Sequence, residues 1–540
     1  MARPAHNVSS HERGREVSAA PAPPARSRWR VPLIVLAVLA LIVWGLARGV
    51  DEPLRRRIEA NANQSLQGYA LSIGAVRFHP LGLSIDFIEL RVAQNSHPDP
   101  PVLDVPLLHA SVHWGAVLHR KLVADFRLDR PAVRLDLAQA EAEARDPTPV
   151  ANHGWQDAVL ALYPLKVNLL RIRDGRITYR DRGPFAPIEL TNLQVRAGNI
   201  RNVVSPKRTY PSTLRLDGRL QKSARLGVRG HANFLTEPMA AVRAAVHLGG
   251  LPLAYLDPLG RHLDLVIHSG RLSADGVVEY APWITRADLR DLRIDGAAVD
   301  VVQTADSHKA VAAAHGAQAA SGAPHEFFRA RRVRVTKSTF GVQVPGADPP
   351  YRLFLSDADV AVDNLSNHGS EGTGVVRASG RFMGSGNTSL AAQVRPTRGS
   401  PDLSLDLKIR DTDMRALNPL WRATGGFDVS RGRFSLYSQI AVRRGRIDGY
   451  VKPFFRDLVV YDPEQDRDAS FGHKVYEHLV GGAARLLESR SSSAVATKMS
   501  LSGPLDDPQT SLLQVVLRLV QNAFFKAILP GLERERSSER

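Results

Sequence analysis

The stretch "RIRDGRITYRD", residues 171–181, alternates apolar with charged side chains on both sides of an Asp-Gly pair. Strict alternation marks a strand with one buried face, and Asp-Gly between alternating runs is a strong hairpin signal. Read as a type I′ hairpin closed at Asp174-Gly175, Ile172 faces Ile177 and Leu170 faces Tyr179, all on one dry side. Arg171, Arg173, Arg176 and Thr178 fall on the other, wet side. The expectation is a sheet with one apolar face, and the question is what covers it.

The pattern recurs. In "RRVRVTKSTFGVQ", with Lys337-Ser338 as the loop, Val335 faces Phe340 and Val333 faces Val342. "NLQVRAGNIRN" from residue 192 is answered by "DADVAVDNLSN" from residue 357, and "LDPLGRHLDLVIHSGRLS" from 256 by "LNPLWRATGGFDVSRGRFS" from 417. A steady offset of about 162 residues is an internal duplication. Asp257 and Asn418 hold the same place before a proline. Both residue types cap helices with Pro in the first position, and a catalytic carboxylate would not survive as Asn, so both are expected to be caps.

Other segments read as strands in the same way, among them "LSIDFIELRV", "FRLDRPAVRLDL", "TLRLDGRL", "LSLDLKI" and "RFSLYSQIAV". "DEPLRRRIEANANQSL" reads as a helix. The boundaries expected are a disordered tail over 1–29, a transmembrane helix over 30–48, an N-terminal β module over 49–150, and a first repeated module over 151–300. An Ala-rich mobile loop over 301–327, a second repeated module over 328–461 and a helical region over 462–540 complete the chain.

The transmembrane reading rests on "VPLIVLAVLALIVWGLA", residues 31–47, with no charge inside, Arg30 and Arg48 at its borders, and Trp29 and Trp44 near its ends. A cleaved signal peptide is the competing reading. The apolar run is long for one, and no A-x-A site follows cleanly. The arginines before the span lean towards a cytoplasmic N-terminus. Near the other end, "TSLLQVVLRLVQNAFFKAILPGL" is an amphipathic helix whose apolar side includes Leu512, Val516, Leu519, Phe524 and Ile528. It is suited to an interface, to capping the sheet, or to a buried core.

The 540 residues contain no cysteine, which excludes disulfides, thiolate metal sites and a Cys nucleophile. The net charge of +17 comes mostly from Arg spread along the strands. No nucleic-acid motif or aromatic interleaving accompanies it, so an anionic membrane surface fits better than a nucleic acid, and an Arg- and Ala-rich compositional bias on solvated faces fits at least as well. No phosphate-binding loop, zinc-protease or serine-hydrolase motif occurs, and "GTGVVR" has Arg377 where a dinucleotide fingerprint needs its third glycine. His109 and His113 share helical metal spacing, but in an extended segment they would stand about 13 Å apart. Asp506-Asp507 and the Asp411/Asp413 pair sit beside turn signals. No catalytic, metal or cofactor residue is assigned, and no enzyme activity is expected.

Taken together, the anchor, "LDRPAVRLDL", the paired "LKVNLLRIRDGRITYRD" and "LDPLGR"/"LNPLWR" segments, "GYVKPFFRDLVVYD" and "LSGPLDDPQ…QNAFFKAILPGL" resemble the AsmA-like superfamily of envelope proteins in Gram-negative bacteria, in its domain-of-unknown-function branch. The resemblance implies a single-pass inner-membrane protein with its bulk in the periplasm. It implies a mainly β fold: an elongated, twisted antiparallel sheet forming a groove with an apolar interior. It further implies lipid binding or transfer, of phospholipid above all, in outer-envelope biogenesis, and structural roles for Pro131, Gly175 and Pro453. The candidate groove lining is Leu170, Ile172, Ile177 and Tyr179 with Val333, Val335, Phe340 and Val342. From the residues alone, a closed β sandwich serving as a protein-binding envelope scaffold or regulator satisfies the same pattern.

Overall fold

The computed structural model describes residues 45, 49–64, 66, 68–80, 82–95, 98–112, 123–136, 166–180, 186–200, 210–234, 236, 240–261, 264–303, 325–397, 401–425, 428–461, 494–496 and 499–504. Except for Gly45, the expected anchor lies outside them, as do the C-terminal helix with Leu512, Val516, Leu519, Phe524 and Ile528, and the second histidine, His113. Among the described residues no helix is long and apolar enough to cross a membrane.

A helix over 49–64, α1, leads into twenty-one strands that form one twisted, mostly antiparallel sheet. It begins with β1 (Tyr69–His79), β2 (Ser84–Gln94), β3 (Leu103–Val112) and the short collinear pair β4 (Val123–Asp129) and β5 (Ala132–Asp136). Pro131 sits in the break between β4 and β5, where its missing N–H costs no ladder bond.

The next seven strands are β6 (Lys166–Arg180), β7 (Ile188–Ile200), β8 (Ser212–Leu220), β9 (Ala224–Asn233), β10 (Ala241–Pro252), β11 (Leu265–Ala281) and β12 (Ile284–Val302). Seven more follow in the same order: β13 (His325–Val344), β14 (Tyr351–Ser366), β15 (Gly374–Phe382), β16 (Gly386–Arg395), β17 (Asp402–Asp413), β18 (Asp428–Arg443) and β19 (Arg446–Tyr461). Each run has the same insert before its sixth strand, a 3-10 turn and a short helix: Leu253–Leu256 with α2 (Asp257–Arg261), and Met414–Leu417 with α3 (Asn418–Gly425). Each run also opens on a parallel pairing, β4 and β5 with β6, and β12 with β13; the other pairings are antiparallel. The sheet ends on β20 (Ala494–Ala496) and β21 (Met499–Pro504), which both pair with β19. Residues 494–496 and 499–504 thus extend the sheet within the stretch expected to be helical, and Pro453 lies between the segments of β19 that meet the two short strands.

The hairpin reading of "RIRDGRITYRD" does not hold. The stretch is one continuous strand, and Asp174 is a bulge in the left-handed conformation, φ 53°. Ile172 pairs with Val195, Gly175 with Leu193, and Ile177 with Leu190, so an extra residue on β6 is answered by an extra residue, Asn192 at φ 51°, on β7. Lys337-Ser338 is likewise no loop: β13 runs through it, with Lys337 at φ 50°. An inserted residue restores the inside-outside phase just as a turn does, because both shift a period of two by one. The face assignment therefore survives although the turn does not. A Cβ on Gly175 would touch Ile172 and Leu193, and one on Gly218 would touch Leu190 and Leu193, placing all of them on one side.

These bulges line up into a crease. Asp174 and Asn192 in the first run correspond to Lys337 and Asp357 in the second, and Gly250 and Gly296 to Asp411 and Asp457; all eight have φ between 48° and 68°. The short strands β8 and β9, and β15 and β16, turn beside it through Gln221-Lys222 and Met383-Gly384, again with positive φ. Bulges bend a strand and tighten its twist, so a row of them bends the whole sheet along one line. Asp and Asn tolerate the left-handed region better than other non-glycine residues, which explains their use there.

Candidate functional site

On the dry side the two runs differ. In the second, the insert packs down onto the sheet. Met414, Leu417, Leu420 and Trp421 are at most 1% exposed, and they meet Leu405, Val429, Phe434, Leu436, Ile440, Val442 and Val451 in one closed cluster. Asn418 fastens the insert: its Nδ2 donates to Val429 O at 3.1 Å while its Oδ1 accepts from Val429 N at 2.9 Å.

In the first run the same fastening exists but the filling does not. Asp257 Oδ1 accepts from Ile267 N at 2.8 Å, and its Oδ2 accepts from Arg261 Nε at 2.8 Å. Gly260 stands where Trp421 stands. Leu272, Ala274, Val278 and Tyr280 occupy the places of Phe434, Leu436, Ile440 and Val442; the first three are half-buried and Tyr280 is 36% exposed, whereas their counterparts are at most 3% exposed. Capping is thus corrected in both copies. The Asp and Asn side chains clasp the backbone of the next strand, and each short helix continues from a 3-10 turn in which the Asp257 or Asn418 N–H donates to a turn carbonyl.

At the other end of the sheet α1 fills the dry side in a similar way. Ile58 and Ala62 pack with Leu71, Ile73 and Val76, and Leu54 and Leu66 continue the stripe at helical spacing. Asn63 makes the same two-point clasp, donating to Leu71 O at 3.0 Å and accepting from Leu71 N at 2.7 Å. The apolar face is therefore filled at β1–β2 and at β16–β19, carries a smaller buried cluster at β13–β14, and is left half-exposed along much of the first run.

Leu170, Ile172, Ile177 and Tyr179 all lie on that face, half-buried. Leu135, paired with Tyr179, is 50% exposed. Val333 and Val335 are buried among Ala330, Val362 and their neighbours, Val342 is half-buried, and Phe340 is 36% exposed. The sequence reading did not single out Leu135, Leu190, Leu193, Leu272 or Tyr280, although their alternation with polar residues places them on the same face.

The wet side carries the charge. His109 Nδ1 and His79 Nε2 both contact the Asp86 carboxylate. Asp300, with a side chain 2% exposed, accepts hydrogen bonds from Arg352, His268 and Gln343 and so ties four strands together. Burial pushes the Asp300 carboxyl up, but these donors outweigh it and hold the group below its ordinary range. No group of three or more His, Asp or Glu side chains is arranged to hold a metal among the described residues. No protein-family model matches the chain, and no characterised protein matches it significantly.

Proposed function

We propose that the open stretch of the apolar face, centred on the first run of seven strands, is a groove that binds lipid acyl chains. The observation that carries this reading is the contrast between the two copies: one sequence pattern is sealed by Trp421 and its insert in the second, and left half-exposed beside Gly260 in the first. An apolar face this long asks for a cover. Acyl chains supply one at about 0.8 kcal/mol per buried methylene, without polar contacts. The filled regions at both ends fit the scaffold reading locally, since they have closed protein cores. They bracket the open stretch without covering it.

The setting we propose is a single-pass inner-membrane protein with its bulk in the periplasm, acting in lipid binding or transfer to the outer envelope. The uncharged span over 31–47 with its Arg borders supports the anchor, and the resemblance to AsmA-like proteins supports the setting. A photo-crosslinking residue at 177, 272 or 340 should capture lipid in cells, and one at 436 in the sealed copy should not. Crosslinks from the first three positions to protein alone would overturn the groove.

A further inference from the structure

We propose that the wet face of the first run carries a binding site for an anion bearing several phosphate groups, built from a ladder of arginines. Arg127 pairs with Arg171, Arg171 with Arg196, Arg196 with Arg215, and Arg215 with Arg229. These five side chains stand directly opposite one another across five neighbouring strands. At the strand spacing of about 4.8 Å they form a comb about 19 Å long. Like charges placed directly opposite in a sheet repel, so such a row works against folding unless something neutralises it. Among the described residues the one carboxylate joined to the row is Asp217, which accepts from Arg215 Nε at 3.0 Å where both side chains are exposed. Arg127 Nε is buried without a hydrogen-bond partner. Arg171, Arg173, Arg196 and Arg215 line a trough of about 530 Å³ on this face.

The second run shows that the fold does not require the ladder. Its equivalent row reads Arg293, Arg334, Ala361, Arg377, Ala391, directly paired in that order. Alanine replaces the third and the fifth of the five arginines. Asp363 lies 3.5 Å from Arg334 and 3.9 Å from Arg377, joining two of the three that remain. The position matching Asp363 in the first run is Gly198. One copy has thus thinned the row to three arginines and set an acid between two of them, while the other keeps all five and has glycine in that acid's place. Guanidinium groups present paired donors that match phosphate oxygens, and a regular row of them suits a ligand with successive phosphates better than a single small anion. Such phosphates come either from lipid headgroups side by side or from a soluble polyphosphorylated compound. The site is on the opposite side of the sheet from the proposed groove and does not rest on that reading.

The test uses the full chain in neutral detergent micelles, titrated with sodium tripolyphosphate by calorimetry. Binding is expected, weakening steeply as salt rises. Arg196→Ala and Gly198→Asp, which import the second copy's solution, should each weaken it at least about tenfold, while Arg377→Ala leaves it unchanged. Arg196→Ala, which removes a like charge from the row, should melt no lower than the parent, which separates lost binding from lost folding. Micelles doped with phosphatidylglycerol that compete with tripolyphosphate identify headgroups as the source; failure to compete identifies a soluble phosphate compound. Absence of tripolyphosphate binding, affinity unmoved by both ladder variants, or equal affinity for inorganic phosphate would overturn the proposal.

Discussion

Asn418 and Asp257 hold one place in the two copies and grip the following strand with different bonds. Asn418 makes two bonds to the peptide of Val429; Asp257 makes one to Ile267 and spends its second oxygen on Arg261. Asn418→Ala should therefore cost about 1–2 kcal/mol in denaturant unfolding. Asp257→Asn should be close to neutral, since an amide can make both backbone bonds. Asp300 makes a prediction in pH. Its folded carboxyl titrates below the ordinary range, so its stabilisation is complete above the unfolded value of about 4 and is lost as pH falls below it. The melting temperature should drop through that acid window, and Asp300→Asn should show a shallower drop from a lower neutral-pH starting point. Residue chemistry of this kind was only half legible in the sequence. That Asp257 and Asn418 are structural followed from their interchange, but their partners lie ten or eleven residues away on a strand whose docking no local rule reveals.

The insert of the second copy is where an element decides what its face can do. Trp421 is buried within a cluster of large apolar side chains, so Trp421→Ala should destabilise by about 3–5 kcal/mol, measured by chemical unfolding. Gly260 and Trp421 were visible as a matched pair in the sequence, yet the match concealed the difference that matters. The misread hairpin has a related cause. Asp-Gly signals a left-handed residue, and both a tight turn and a bulge use one. Alternation resumes in the same phase after either, so the local sequence cannot separate them. Lys337 shows the limit of the rule, for a lysine occupies the crease where its neighbours use Asp, Asn or Gly. Lys337→Asn should raise stability by roughly 0.5 kcal/mol, read from the shift of the denaturant midpoint.

At the scale of the molecule, the dry face and the duplication could be read from period and offset, because both are properties of the chain in order. The arginine ladder could not. It depends on which residues of five strands fall opposite one another, and that register is set by loops and bulges. Ile177→Asp tests the open face as a whole. A lining residue with no opposing core should tolerate the charge, so the sheet should keep its far-ultraviolet circular dichroism while lipid capture at 340 declines; unfolding would place Ile177 in a closed core. The two parallel pairings have one more consequence. Each run of seven strands begins at the same kind of seam, against β4 and β5 or against β12, and carries the same creases in the same order. A run is thus an interchangeable unit of length. Removing one, or adding another at the same offset, would preserve the seam and the bend while shortening or lengthening the sheet by about 34 Å at seven strand spacings. The fold is in this sense a ruler graduated in copies, and the reach of such a protein can change by whole units without redesign of any strand.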